Sequence, residues 1–396
     1  MPYLRWLETS RRFAARPAII EGGQTVTFAD LTAALALLPT ATAPVIARSG
    51  SVGFFLEILR AWRDGQAVIP VERDAPEPVL ASPPPDGTRL VKYTPGASGI
   101  PRGIFLDAAQ ILADADRLTA AMNLTPDVPN LGVISLAHSY GFSNVVLPLL
   151  LHGVPVHLAP VPFPRVVEEI FNAHPSIVVP AVPSMWRAWH RAGILTGASI
   201  RLALSAGAPL ALALENDVFA ASGLKIRNFY GASECGGISF DTRDTPRESA
   251  EDVGTPLPGV DVSISPCGRI VVKSASVATG YDCPRGDDQL GGGIYQTRDL
   301  GFLDPAGRLH LTGTLGGAIN VAGRKISPAK VEAALLSTGL VRSVKVFGTP
   351  SSDAERHEEI SANVDLTPGA SLDALKQAAT GVLQNWEMPR HWKTKA

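Results

Sequence analysis

Cysteine is scarce in this chain, and the few cysteines that occur lie far apart. Cys235, Cys267 and Cys283 form no Cys-x-x-Cys pair. A disulfide framework needs paired cysteines, and a structural zinc site needs closely spaced ligands. We therefore expect neither of them here.

An excess of charge of either sign is also missing. The chain has 35 Lys and Arg residues against 37 Asp and Glu, and the basic residues are scattered along it. Nucleic acids and anionic membranes are bound by clustered basic residues, so the sequence argues against both as partners. Hydrophobic residues at 45% and charged residues at 18% are typical of a chain with a large core. We expect a small-molecule ligand.

The chain also lacks an uninterrupted apolar run that fits a signal sequence or a membrane span. Charged residues interrupt the first 17 positions, which predicts a cytoplasmic protein. Residues 131–163 contain no Asp, Glu, Lys or Arg, but Gly141, Pro148 and Pro155 break this stretch. The pattern favours two buried strands flanking a short helix in a parallel sheet.

The pattern of hydrophobic residues predicts an α/β protein with more than one domain. Helical patterns alternate with short Val, Ile and Leu runs from residue 27 to about 228, which indicates doubly wound parallel sheets. Short alternating segments between about 252 and 312 predict a β-rich subdomain. We predict a large N-terminal domain over 1–312, a glycine-rich hinge at 313–317 and a small α+β domain over 318–396.

The segment from Tyr93 to Gly103 has the composition of a phosphate-binding loop. It reads Tyr-Thr-Pro-Gly-Ala-Ser-Gly-Ile-Pro-Arg-Gly and combines three glycines, two aliphatic hydroxyl side chains and a cation. Glycines let backbone N–H groups approach a polyphosphate, and the hydroxyls and Arg102 add donors. The Gly-Lys-Ser/Thr ending of a Walker A loop is absent. Taken alone, the segment is equally compatible with a surface turn.

Further motifs give this loop a context. In chain order they are His138-Ser-Tyr-Gly, Ser205-Ala-Gly-Ala-Pro-Leu, Asn228-Phe-Tyr-Gly-Ala-Ser-Glu and Tyr295-Gln-Thr-Arg-Asp. Together with the loop, they resemble in content and order the motifs of the adenylate-forming (AMP-binding) superfamily, in its acyl- and aryl-CoA ligase branch. Members of that superfamily use ATP to activate a carboxylic acid as acyl-AMP, and then transfer the acyl group to a thiol.

The resemblance implies ATP, Mg²⁺, and CoA or phosphopantetheine as co-substrate. It assigns ATP or AMP binding to Thr94, Gly96, Ser98, Gly99, Gly207, Ala208, Pro209, Asn228, Phe229, Tyr230, Gly231 and Asp299. It assigns catalytic roles to Arg102, His138 and Ser233, and an acid pocket to His138, Ala206 and Gly231. We add Phe142 and Cys235 to this pocket, although their residue types suit a core equally well. Glu234 would hold the Mg²⁺ ion, which prefers carboxylate and phosphate oxygens.

The residues around His138 also indicate which class of carboxylic acid is the substrate. Amino-acid-activating relatives place an aspartate there to bind the α-amino group, and residues 131–163 contain none. The resemblance therefore favours a fatty or aromatic acid as substrate. It also suggests an acyl carrier protein as a partner and a homodimer as the assembly.

Several positions depart from the family pattern. Pro95 replaces a serine of the loop, Arg102 replaces its lysine, and Thr314 replaces the arginine before the hinge. Lys393 and Lys395 stand ahead of the position expected for the family's catalytic lysine. Two alternatives therefore remain beside the ligase: a protein that binds a nucleotide or acyl-adenylate without adenylation activity, and an enzyme that uses only preformed acyl-AMP.

Overall fold

In the computed structural model, the described residues are 1–94, 102–286, 288–314, 319–321, 324–351 and 358–394. They divide between Thr312 and Gly313 into a larger and a smaller compact unit. A strand runs from Leu309 to Thr314, so the first two residues of the predicted hinge are extended. Residues 315–317 lie outside the described part of the chain, and the hinge stays a prediction.

The first part of the larger unit alternates helices and short strands. Its elements are α1 Pro2–Arg12, β1 Pro17–Glu21, β2 Gln24–Thr27, α2 Phe28–Ala36, β3 Val45–Arg48, α3 Val52–Arg63, β4 Val68–Val71, β5 Thr88–Thr94, β6 Arg102–Asp107, α4 Ala108–Ala121 and β7 Asn130–Gly132. A helical segment follows, with α5 Ser139–Gly141, a π-helical turn Phe142–Val146 and α6 Leu147–His152. Strand β8 Val156–Leu158 comes next.

The second part of the larger unit changes from alternation to consecutive strands. Its elements are α7 Pro164–Ala173, β9 Ile177–Ala181, α8 Pro183–Arg191, β10 Ile200–Ser205, α9 Leu212–Ser222, β11 Ile226–Ala232, β12 Gly236–Phe240, β13 Thr255–Pro256, β14 Val260–Ile264, β15 Arg269–Ser274, β16 Gly280–Tyr281, β17 Leu290–Gly291, β18 Ile294–Leu303 and β19 Leu309–Thr314.

The strands of the larger unit form three sheets within the described residues. The largest has the order β13-β12-β11-β10-β9-β7-β8-β1-β2 and is parallel from β11 to β1. A second has the order β16-β6-β5-β4-β3. The third joins β14, β15, β17, β18 and β19, which is the β-rich part that the sequence predicts.

Alternate residues of the largest sheet enter different cores. Val179 and Ala203 pack against α7, α8 and α9 on one face. Val178 and Leu204, next to them in the chain, pack with α4 and the strands β14 and β15 on the other face. Because both faces are covered, the central strands need apolar residues at successive positions. This explains the continuous apolar runs.

The apolar stretch 131–163 has the structure predicted for it. Strands β7 and β8 pair in parallel, and the helical segment 139–152 lies between them in the chain. Gly153 ends that segment in a left-handed conformation, with φ of 76°. Among the described residues, no helix has the length and apolarity required to cross a membrane.

The smaller unit is an α+β structure with its own core. Its elements are β20 Ile319–Val321, β21 Arg324–Ile326, α10 Pro328–Ser337, β22 Val341–Pro350, β23 Glu358–Leu366, α11 Leu372–Val382 and β24 His391–Thr394. Strands β22, β23 and β24 form one sheet, and β20 pairs with β21. Val331 and Leu335 of α10 and Leu375 of α11 are fully buried.

A buried ionic network fixes the start of β11, the strand that carries the Asn228–Glu234 motif. Glu215 has no exposed surface and binds both Lys225 and Arg247, the latter at 2.7 Å. Lys225, directly before β11, also pairs with Asp241 at 2.7 Å. Buried charges are tolerated when each has a partner, so loss of one member leaves others uncompensated.

We predict that Glu215→Ala lowers the free energy of unfolding by about 3–5 kcal/mol, because Lys225 and Arg247 would both lose their buried partner. Chemical denaturation of the purified variant measures this change. Asp217→Ala, at an exposed position of the same helix, is the matched control and should stay within about 0.5 kcal/mol of wild type. Equal losses in the two variants would contradict the prediction.

Candidate active site

Two motifs meet at one edge of the largest sheet. Ser205 is the last residue of β10 and lies beside Asn228 of the parallel strand β11. Loops that follow parallel strands leave the sheet on the same side, where α/β proteins commonly bind ligands. Residues 207–209 are exposed in the loop after β10, and Gly207 adopts a φ of +80° that favours glycine.

Tyr230 and Asp299 come together from distant parts of the chain. The Tyr230 hydroxyl donates a hydrogen bond of 2.6 Å to Asp299 Oδ2. Burial and the neighbouring Asp299 carboxylate raise the pKa of Tyr230 well above its usual value, so the phenol keeps its proton. Because a carboxylate has several lone pairs, Asp299 has acceptor capacity beyond the tyrosine bond. The hydrogen bond thus places the aromatic ring of Tyr230 beside the carboxylate of Asp299, which is a polar acceptor.

Glu234 faces a tyrosine and a nearby cation. The Tyr281 hydroxyl donates to Glu234 Oε1 at 2.9 Å, and the Arg102 guanidinium lies 3.6 Å from the centre of the Tyr281 ring. Burial raises the pKa of Glu234, and the Tyr281 hydrogen bond and the Arg102 charge oppose that rise. Because burial disfavours the charged form of Glu234, a cation bound beside this carboxylate would stabilise that form.

Arg102 is already paired in this structure. Its guanidinium forms a two-nitrogen ion pair with Asp288, one arm of which measures 3.2 Å. A phosphate would have to compete with that carboxylate for the same donors. The predicted catalytic role of Arg102 therefore requires an exchange of partners.

The His138-Ser-Tyr-Gly141 motif forms a tight turn. A Cβ atom at Gly141 would stand 2.1 Å from the carbonyl oxygen of Ser135, so only glycine fits there. The turn brings the Ser139 hydroxyl to 2.6 Å from the Ser233 hydroxyl. It thus connects the His138 motif with the Asn228–Glu234 motif.

His138 itself is open to solvent. Its side chain is 65% exposed, and its Nε2 lies 3.8 Å from Glu72 Oε1. Glu72 also accepts hydrogen bonds from Ser49, at 2.8 Å, and from Ser135. The exposed imidazole is accessible to a ligand, and Glu72 is a neighbour that the sequence analysis missed.

The structure differs from the predicted acid pocket at two residues. Phe142 and Cys235 have no exposed surface and belong to packed cores, so neither lines an open pocket. Burial also raises the pKa of the Cys235 thiol, which keeps it protonated. Ala206 is buried at the end of β10, whereas Gly231 is exposed on β11. An apolar residue type alone does not distinguish a pocket wall from a core.

The remaining predicted ATP-binding residues are placed as follows. Asn228 is buried and donates to the carbonyl of Asp252 at 3.2 Å, and Phe229 stacks on Tyr140 with ring centres 5.9 Å apart. Thr94 ends β5 opposite Arg102 in β6, so the phosphate-loop segment connects two antiparallel strands. Gly96, Ser98 and Gly99, together with Pro95, lie outside the described residues.

The site offers one carboxylate that suits Mg²⁺. No group of three or more His, Cys, Asp and Glu side chains that could hold a metal ion occurs among the described residues. Mg²⁺ in nucleotide sites commonly takes one or two carboxylates and completes its coordination with phosphate oxygens and water. A single half-buried Glu234 is compatible with that arrangement.

The comparisons with known proteins agree with the motifs. The profile of the AMP-binding enzyme family matches residues 49–282, which is more than half of the chain. The protein therefore belongs to the AMP-binding enzyme family.

Two curated relatives are CoA ligases. The long-chain-fatty-acid–CoA ligase of Bacillus subtilis (strain 168) is 26% identical, over 77% of this chain and 58% of that protein. A probable 2-succinylbenzoate–CoA ligase of Mycobacterium tuberculosis (strain H37Rv) is 28% identical, over 77% of this chain and 79% of that protein. The chain thus spans less than two thirds of the first relative's length.

The fold also resembles that of solved enzymes. The o-succinylbenzoate CoA synthetase (MenE) of Bacillus subtilis, in complex with its acyl-adenylate intermediate OSB-AMP, aligns with a TM-score of 0.70. The alignment covers 99% of this chain and 94% of that chain at 20% identity. The chain therefore has the adenylate-forming fold, with a large N-terminal part and a smaller C-terminal part.

We predict opposite effects of Glu234→Gln on stability and on Mg-ATP binding. Because burial raises the pKa of Glu234 in the folded state, its deprotonation costs folding free energy as the pH rises through that pKa. Glutamine removes this cost, so thermal melts of the free protein should show the variant gaining stability relative to wild type as the pH rises above the usual pKa of glutamate. Affinity for Mg-ATP should fall about 10–100-fold.

Glu248→Gln, an exposed position in the same unit, is the control and should change neither property. A Glu234→Gln variant that loses stability relative to wild type as the pH rises would contradict the prediction.

Proposed function

We propose that the protein activates a carboxylic acid with ATP as acyl-AMP and transfers the acyl group to a thiol. The observation that carries this proposal is the meeting of three distant motifs in one site. Tyr230 binds Asp299, Ser233 contacts Ser139 next to His138, and Glu234 contacts Tyr281. Each contact joins the end of β11 to another segment of the larger unit.

In the first step, a carboxylate oxygen of the acid attacks the α-phosphorus of ATP, and pyrophosphate leaves. Catalysis of such a step is mainly positioning and neutralisation of charge. Asp299 would accept hydrogen bonds from the ribose hydroxyls, and the Tyr230 ring would lie against adenine. Ser233 would donate to the α-phosphate. Mg²⁺ bound at Glu234 would supply positive charge beside the phosphates.

In the second step, a thiol sulfur attacks the acyl carbonyl carbon, and AMP leaves with the oxygen that joined it to the acyl group. The exposed His138 ring, adjacent to the Ser139–Ser233 contact, would stabilise charge near the reacting carbonyl. CoA and the phosphopantetheine of an acyl carrier protein both supply such a thiol.

We propose a fatty or aromatic acid as the substrate. The relatives named for CoA ligase activity act, by those names, on long-chain fatty acids and 2-succinylbenzoate. Residues 131–163 supply no carboxylate that could bind an amino group. A hinge at 313–317, a homodimer and a cytoplasmic location are further parts of this proposal and rest on the sequence alone.

One observation favours weak adenylation. Asp288 already neutralises Arg102, the residue that replaces the lysine of the family's phosphate loop. Pro95 replaces a serine donor of the same loop. An enzyme that uses only preformed acyl-AMP, or a protein that binds acyl-adenylate without turnover, is therefore the second candidate.

One assay separates these candidates. Purified protein with Mg-ATP and a panel of aliphatic and aromatic acids should release pyrophosphate, and adding CoA should give the thioester. Thioester formation from synthetic acyl-AMP and CoA, without pyrophosphate release from ATP, supports the second candidate. Calorimetric binding of a non-hydrolysable acyl-AMP analogue without either reaction indicates a binding protein. Absence of both turnover and binding refutes the proposed function.

We predict that Asp299→Asn weakens ATP binding by about tenfold or more. The amide keeps one acceptor oxygen but replaces the other by a donor, so it cannot accept from Tyr230 and the ribose as a carboxylate does. Calorimetric titration with Mg-ATP measures the loss. Asp261→Asn, an exposed position of the same unit, is the control. Unchanged affinity in Asp299→Asn would remove Asp299 from the site.

A further inference from the structure

A buried polar cluster lies among three elements of the larger unit. Lys92 of β5 and Asp114 of α4 are 2% and 3% exposed, and Ser143 of the π-helical turn is 3% exposed. The Ser143 hydroxyl donates to Asp114 Oδ2 at 2.7 Å and lies 3.4 Å from Lys92 Nζ. Burial lowers the pKa of Lys92, and the Asp114 carboxylate opposes that effect. The proposed reaction uses none of these groups.

The second oxygen of Asp114 holds the turn that follows Glu234. Asp114 Oδ1 accepts a hydrogen bond of 3.0 Å from the backbone N–H of Gly237. Gly236 has a φ of +73°, and a Cβ atom there would stand 2.1 Å from the same oxygen. The backbone of the turn therefore packs directly against the Asp114 carboxylate, and only glycine at position 236 allows this close approach.

Arg117, one helical turn further along α4, is linked to the same turn through Ser276. It donates to the Ser274 hydroxyl at 2.7 Å and also to the Ser276 hydroxyl. Ser276 in turn donates to the carbonyl oxygen of Cys235. Residues on both sides of the turn, Cys235 and Gly237, are thus tied to α4.

The elements joined by Asp114 are those that carry the proposed catalytic groups. Strand β5 ends at Thr94, where the phosphate-loop segment begins. The π-helical turn directly follows the His138–Gly141 motif, and Gly237 lies three residues after Glu234. A buried, fully bonded carboxylate is a strong local constraint because its partners have no water to replace it.

We infer that Asp114 is a positioning residue, which sets the Ser233–Glu234 turn relative to the His138 segment and the strand before the phosphate loop. This inference rests on the proposed function for what the turn binds. Lys92 balances the charge of the carboxylate, whereas the hydrogen bonds of Asp114 to Ser143 and Gly237 set the geometry. Loss of the carboxylate should therefore affect nucleotide binding more than binding of the acid.

The test compares Asp114→Asn with Asp116→Asn in the full chain. Asp116 lies on the same helix but its side chain is 47% exposed, so it is the matched control. Calorimetry with Mg-ATP should show about a tenfold loss for Asp114→Asn, with the KM for the acid within about twofold of wild type. Hydrogen exchange of peptides covering 233–237 and 139–146 should become faster without any ligand. The control should change none of these properties.

A second variant separates positioning from a general loss of stability. Lys92→Met combined with Asp114→Asn removes both buried charges, so the double variant should regain much of the thermal stability lost by Asp114→Asn. Its affinity for Mg-ATP should stay low, because an amide at position 114 cannot accept from both Ser143 and Gly237 as the carboxylate does. Recovery of ATP affinity together with stability would overturn the positioning role.

Hydrogen exchange and ligand binding by the wild-type protein distinguish failure of this inference from failure of the proposed function. Unchanged hydrogen exchange at 233–237 in Asp114→Asn overturns the inference even if ATP affinity falls. A wild-type protein that binds neither Mg-ATP nor the acyl-AMP analogue refutes the proposed function. In that case, faster exchange in the variant still supports the contact between Asp114 and the turn.

Discussion

The rest of the site depends on the buried polar contacts that hold strand β11 at both of its ends. Before the strand, Lys225 pairs with Glu215 and Asp241, and beyond its end Gly237 donates to Asp114. All of these partners are buried, so water cannot take their place. Because both ends are held, the side chains between them have defined directions. Tyr230, Ser233 and Glu234 can then each meet a partner from another segment.

The residues proposed to bind the ligand differ in burial from the residues that hold them in position. Asp299, Ser233 and Glu234 are only partly buried, so a ligand can reach them. Asp114 and Lys92, by contrast, are almost fully buried. A rigid buried layer under an accessible one is the general requirement for a preorganised site. In this protein the buried layer is ionic and hydrogen-bonded as well as apolar.

The sequence predicted the parts of the fold and site that depend on local pattern or on motif order. Alternating apolar runs predicted the parallel sheets, and the ordered motifs predicted that Tyr230 and Asp299 share a site. Partners far apart in sequence were not predictable: Arg102 pairs with Asp288, 186 positions away, and Asp114 binds Gly237, 123 positions away. No local pattern encodes such contacts. Phe142 and Cys235 were predicted to line a pocket, but both lie in packed cores. Apolar residues suit either environment, so residue type alone could not distinguish the two.

The central claim is that a carboxylate of the substrate is joined directly to the α-phosphorus of ATP. Labelling both carboxylate oxygens of an accepted acid with a heavy oxygen isotope tests it in a reaction with Mg-ATP and CoA. The account predicts AMP carrying one labelled oxygen and a thioester carrying the other, both measured by mass spectrometry. Unlabelled AMP, or ADP with labelled phosphate, would show that no acyl-adenylate forms and would contradict it.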